Sequence, residues 1–232
     1  NKAVGYKPAL FSHDEVTTLF HEFGHGIHHM LTQVDAAPVA GINGVAWDAV
    51  ELPSQFLENW CYDEEALSFI SGHYETGEPL PKELLDKLLA AKNYNSGVQM
   101  LRQIEFSLFD FKIHNDYKVG EQCQIQAVLN DVRSRTSIVK PPEFNRFQNG
   151  FSHIFAGGYS AGYYSYKWAE VLSADAFSKF EEEGIFSAET GQAFMQNILE
   201  KGGSEEPMEL FKKFRGREPN VDALLRHSGI AV

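Results

Sequence analysis

Cysteine is scarce: the 232 residues contain two, Cys61 and Cys123. Their spacing matches no zinc knuckle and no redox motif, and two cysteines cannot frame a disulfide-built miniature fold. Two free thiols in a reducing compartment is the simpler expectation, with a Cys61–Cys123 disulfide as the alternative. Basic residues are also few, 20 Lys and Arg against 32 Asp and Glu, for a net charge of -12. Binding along a phosphate backbone needs clustered cations, so no nucleic-acid partner is expected. An acidic surface is ordinary in a soluble protein, and an acidic wall attracting cationic substrates is the less economical alternative. No apolar run approaches the ~20 residues that span a bilayer, so no membrane partner is expected. Internal repeats and low-complexity tracts are missing, and alternating strand patterns are nearly so. The chain opens on Asn1 rather than Met, which points to a fragment or processed product whose targeting signals are not readable here.

Apolar material is plentiful by contrast, at 43% hydrophobic and 13% aromatic residues. That suffices for a proper core and excludes intrinsic disorder. We treat residues 1–232 as one domain, of mostly α class with at most a small β element. Ser12 and Glu15 have capping-box spacing and set a helix start at Ser12. Val16, Leu19, Phe20, Phe23, Ile27, Met30, Leu31 and Val34 then recur at helical spacing, a stripe most simply assigned to the core. Residues 36–47 read as loop, with a short strand or hairpin as an alternative. A second helix is expected from Glu51 or Pro53 to about Asp63. One or two helices are expected over 82–116, with Asn95 and Gly97 the break in the two-helix case, and further helices over 120–137, over 163–183, over 189–201, over 206–214 and over 220–227.

His21-Glu22-Phe23-Gly24-His25 carries the chemistry. Residues i and i+4 project from one helix face, and two imidazoles so placed can bind one tetrahedral zinc. Zinc acidifies a coordinated water, and Glu22 is placed to take its proton. The bland alternative is a solvent-facing His/Glu surface. Against it, the motif lies in an amphipathic helix with its apolar stripe on the other side.

A catalytic zinc needs a third protein ligand and an open position. Glu51 is the leading candidate, in a segment that the intervening loop can bring against the first helix. Glu58 lies seven residues later on the same face and could support a histidine from behind the metal. A solvated carboxylate is an equal alternative there. Asp48 is a weaker candidate for such support, and His28 reads as a packing or hydrogen-bonding histidine.

His21 to His25, followed by Glu51-Leu52-Pro53-Ser54-Gln55 and Glu58-Asn59-Trp60, resembles the thimet oligopeptidase family of zinc metallopeptidases, in particular its bacterial oligopeptidase A branch. The resemblance continues through His153-Ile154-Phe155-Ala156-Gly157-Gly158-Tyr159, Tyr163-Tyr164-Ser165-Tyr166 and Phe214-Arg215-Gly216-Arg217-Glu218-Pro219, so it covers essentially the whole chain. It implies a zincin-type helical catalytic domain with one Zn(2+) held by His21, His25 and Glu51. It implies Glu22 as general base, His153 and Tyr166 as catalytic donors to the oxyanion, and Tyr159 in substrate binding. It also implies short unfolded peptides as substrates and a cytoplasmic setting, or an organelle in a eukaryote. A large N-terminal part of the same protein would form the far wall of the channel.

The glycines at 157, 158 and 162 suggest a hinge letting the tyrosines close on substrate, with a tight turn into the next helix as the alternative. Arg215 and Arg217 are expected in ion pairs rather than on substrate. Two other readings stand beside the oligopeptidase. One is a carboxydipeptidase of the same family. The other is a non-catalytic metal-binding fragment, which the intact Glu22 argues against.

Overall fold

The structure is a computed structural model and describes residues 3–6, 8–122 and 124–230. The class is mostly α as expected: among the described residues the one β feature is an isolated bridge at Val4. Among the described residues twelve α-helices follow in order, α1 His13–Met30, α2 Trp47–Val50, α3 Leu52–Glu58, α4 Glu64–Ile70, α5 Lys82–Lys92, α6 Ser96–Asn115, α7 Ile125–Thr136, α8 Ser152–Phe155, α9 Ser165–Glu183, α10 Ala188–Asn197, α11 Pro207–Arg215 and α12 Asp222–His227. No described helix is long and apolar enough to cross a membrane. Contacts group the chain into two compact units, Asn1–Tyr94 with Ala169–Val232, and Asn95–Trp168.

In the first unit, α1 starts where the capping box says it should. The Ser12 side chain accepts from the Glu15 amide, and the Glu15 carboxylate accepts from the Ser12 amide. The apolar stripe of α1, however, is not core. Leu19, Phe23 and Met30 are 53, 55 and 64% exposed, while the buried residues of the helix are Gly24 and His28. The reason is Gly24. A Cβ there would stand 2.5 Å from the Ser54 Cα and 2.6 Å from the Pro53 carbonyl oxygen. The missing side chain lets α3 press against the histidine side of α1, leaving the Leu/Phe/Met side uncovered. Residues 36–47 carry no strand, so the loop expectation holds there rather than the strand or hairpin alternative. Residues 37–39 form a 3-10 turn, held by the Gly203 amide donating to the Val39 carbonyl. Gly202 has φ +51, and a Cβ on it would meet the Val39 oxygen at 2.5 Å.

The rest of this unit is aromatic. Phe56 of α3 stacks on Phe194 of α10 with centroids 4.1 Å apart, and Trp60 meets Phe177 and Phe180 edge-on. Asp175 on α9 is 1% exposed. It takes both terminal nitrogens of Arg217 at 2.6 Å, Arg215 Nε at 3.2 Å and the Asn220 amide at 2.7 Å. The two arginines are therefore internal ties, as the sequence suggested. Cys61 is a free, fully buried thiol whose pKa burial pushes up to about 11. Its suggested partner Cys123 lies outside the described residues.

The second unit is built on α6 and α7. The expected break before α6 falls at Asn95, in the left-handed region with φ +58. Its core joins Phe109, Leu129, Phe151, Ile154 and Tyr163. Buried Glu105 accepts from Arg133 Nε at 2.9 Å, from Arg102 at 2.6 Å and from the Ser137 hydroxyl at 3.0 Å, tying the two helices together.

Candidate metal centre

The close approach that Gly24 permits sets the site. Glu51 ends α2 and opens α3, so it sits at a joint rather than inside a regular helix. From there its carboxylate meets both motif histidines. Glu51 Oε2 lies 3.4 Å from His21 Nε2 and 3.2 Å from His25 Nε2. Donor atoms bound to one tetrahedral zinc at about 2.0–2.2 Å stand roughly 3.3–3.6 Å apart. The 3.4 Å separation falls within that range, and the 3.2 Å separation lies just short of it. His21, His25 and Glu51 each offer a ligand atom, all within 4.8 Å of one another, and form a set that could hold a metal ion.

The surroundings orient these groups. Glu58, one helical repeat beyond Glu51, places Oε1 2.6 Å from His21 Nδ1, the supporting contact that the seven-residue spacing made conceivable. It fixes which ring nitrogen faces Glu51. Ser54 is fully buried and donates its hydroxyl to Glu51 Oε2 and to the Glu51 carbonyl, both at 3.0 Å. Sequence reasoning missed Ser54, although its place three residues after Glu51 on the same helical turn was a usable signal. His25 Nδ1 is buried without a hydrogen-bond partner among the described residues. Asp48 falls in the first turn of α2.

Electrostatics in the metal-free cluster follow from this geometry. Hydrogen bonds to Glu51 and then Glu58 raise His21 to about 10. Burial alone would raise Glu51, but hydrogen bonds from His21, His25 and Ser54 hold it well below the usual carboxylate range. One buried anion shared by two imidazoles is a donor set of mixed N and O type, without thiolates, as catalytic rather than structural zinc sites have. Glu22 follows His21 on α1 and is exposed, so its carboxylate can be reached by a solvent molecule or a ligand. His28 is 2% exposed with no hydrogen-bond partner on either ring nitrogen among the described residues, and burial lowers its pKa to about 4. It is a packed neutral histidine and stands outside the ligand set.

The other three expected site residues belong to the second unit. Tyr159 and Tyr166 stack with centroids 4.8 Å apart and rings 23° from parallel. His153 lies 6.2 Å from Tyr159, 5.7 Å from Tyr163 and 6.1 Å from Tyr166, centroid to centroid. Here the aromatic-packing alternative is partly true, because Tyr163 is buried core and its hydroxyl donates to Gln103. The loop between them is a chain of tight turns. The Tyr159 amide donates to His153 O, and Gly162 to Tyr159 O.

The model of peptidase family M3 matches residues 1–230. The chain is 65% identical to oligopeptidase A of Escherichia coli (strain K12) over 99% of its own length and 34% of that protein's. Against saccharolysin of Saccharomyces cerevisiae the identity is 37%, over 99% of this chain and 32% of the other. Against dipeptidyl carboxypeptidase of E. coli it is 33%, over 100% and 34%. The chain spans about a third of the length of these curated relatives. With a His/Glu cluster of metal-ligand spacing and a family match over nearly every residue, the chain belongs to peptidase family M3.

Proposed function

We propose that this chain is the zinc-binding catalytic portion of an oligopeptidase that cleaves short, unfolded peptides. The observation that carries the reading is the convergence of His21, His25 and Glu51 beside an intact Glu22. These three side chains would hold one Zn(2+), which supplies Lewis-acid chemistry when bound. Glu58 orients His21, and Ser54 orients Glu51. Glu22 takes a proton from the attacking water and returns it to the leaving amine. A tyrosine hydroxyl is a neutral donor suited to a developing oxyanion, and we assign Tyr166 that task and His153 a second donor role. Tyr159 is assigned to substrate binding. These three assignments rest on the motif resemblance. Greater identity to oligopeptidase A than to dipeptidyl carboxypeptidase favours the endopeptidase over removal of C-terminal dipeptides.

A longer parent chain would supply the N-terminal part of the enzyme, for which the uncovered Leu19, Phe23 and Met30 face of α1 is a suitable apolar seat. We assign the enzyme to the cytosol on the same resemblance.

Substituting Glu22→Gln and following an internally quenched short peptide tests the reading. Turnover should fall by about 100-fold or more while zinc stays bound. Parental turnover in the variant would refute the role of Glu22 and with it the mechanism.

A further inference from the structure

Among the described residues three side-chain carboxylates are about 1% exposed, Glu105, Asp110 and Asp175. Glu105 and Asp175 meet arginines and tie helices together. Asp110 of α6 is used differently. Its Oδ1 accepts from the Ala161 amide and its Oδ2 from the Tyr163 amide, both at 2.9 Å. His114, one turn further along α6, brings Nδ1 to 2.9 Å from Oδ1. One helical repeat earlier on the same face, Gln103 accepts the Tyr163 hydroxyl at 3.0 Å. One face of α6 thus grips the segment that separates Tyr159 from Tyr166.

The grip has a conformational consequence. Ala161 stands in the left-handed region with φ +55, which a residue bearing a Cβ does not adopt unaided. One of the two amides that Asp110 takes is that residue's own, and the other lies two residues on. They also lie just before α9, where unpaired amides and the helix dipole favour a negative charge.

We propose that Asp110 is a positioning residue for peptide hydrolysis. It caps the 159–165 turn from a neighbouring helix and thereby fixes how Tyr159 and Tyr166 are presented. This rests on the reading above that these side chains meet substrate. The turn is thus held at Ala161 and again at Tyr163.

The test is Asp110→Asn in the natural full chain loaded with zinc. Asparagine keeps one acceptor oxygen and sets an NH2 against the other amide. Hydrogen exchange at Ala161 and Tyr163 should quicken at least tenfold, with zinc content unchanged. The kcat/KM for a short quenched peptide should fall by about 10- to 100-fold, the cost of a misplaced site. Adding Ala161→Gly, which favours φ > 0, should recover part of that loss, whereas a general weakening of the fold would not be rescued. Should Asp110→Asn fail to fold, Gln103→Met loosens the same segment through Tyr163 and takes the same readouts. Unchanged exchange would overturn the proposal, as would faster exchange with parental kcat/KM. If the parent itself cleaves no peptide, the functional reading fails instead, and the exchange data still decide whether Asp110 holds the turn.

Discussion

Two buried carboxylates in the first unit, Glu51 and Asp175, live in opposite chemistry. Asp175 is saturated by two guanidinium groups and a backbone amide, all fixed donors that never give up their protons. Glu51 faces two imidazoles and a serine hydroxyl, and imidazoles can exchange a proton for a metal ion. Arginine closes a site, and histidine leaves it available. The same contrast separates two of the motifs that carry the family resemblance. Phe214 to Pro219 turns out to lock the end of α11 onto α9, while His21 to His25 keeps its polar side ready for a ligand.

The comparison can be broken at either carboxylate. Asp175→Ala leaves the largely buried Arg215 with only the exposed Glu182 as a charge partner, and truncating one member of a buried pair costs up to about 3–5 kcal/mol. Urea unfolding of the zinc-loaded chain should show that loss, with zinc content intact below the transition. Gly24→Ala attacks the other region through its backbone. The new methyl must push α3 away, so we expect about 1–3 kcal/mol of destabilisation from overpacking and, unlike Asp175→Ala, an additional loss of zinc affinity. Glu58→Gln is gentler, since it keeps a side-chain oxygen near His21 but removes the charge. Competition with a chelator should reveal a 10- to 100-fold weaker zinc site, typical of a lost supporting contact.

A separate effect concerns pH. Burial lowers His28 to about 4 from its ordinary 6.5, so the unfolded chain takes up that proton first. Stability of the metal-free chain should therefore rise with pH between 4 and 6.5 and gain nothing further from His28 above 6.5. The full swing is at most about 3 kcal/mol. His28→Asn should flatten that window in a series of denaturant melts. His21 acts elsewhere on the scale. Its pKa is raised to about 10, so its stabilisation is complete below 6.5 and fades as the pH climbs toward 10.

Much of this was legible beforehand because it is local. The capping box at Ser12, the chain break at Asn95 and the i, i+4 histidines depend on neighbours within a turn or two. Glu51, which the structure brings beside both histidines, was legible because a catalytic zinc would demand a third donor. The apolar stripe of α1 misled because periodicity identifies a face without saying what covers it. A single missing Cβ at Gly24 decided that the histidine face would be packed. Helix α4 escaped notice, although Asp63 caps it by accepting from the Ala66 amide. Asp110 could not have been found from sequence, since its partners lie 51 and 53 residues away.

The most direct test of the central claim is elemental analysis for zinc on this chain beside a Glu51→Ala variant, both dialysed without chelator. About one zinc per parent chain and little in the folded variant would bear out the ligand set. Equal zinc in the two proteins, or none in a folded parent, would contradict it.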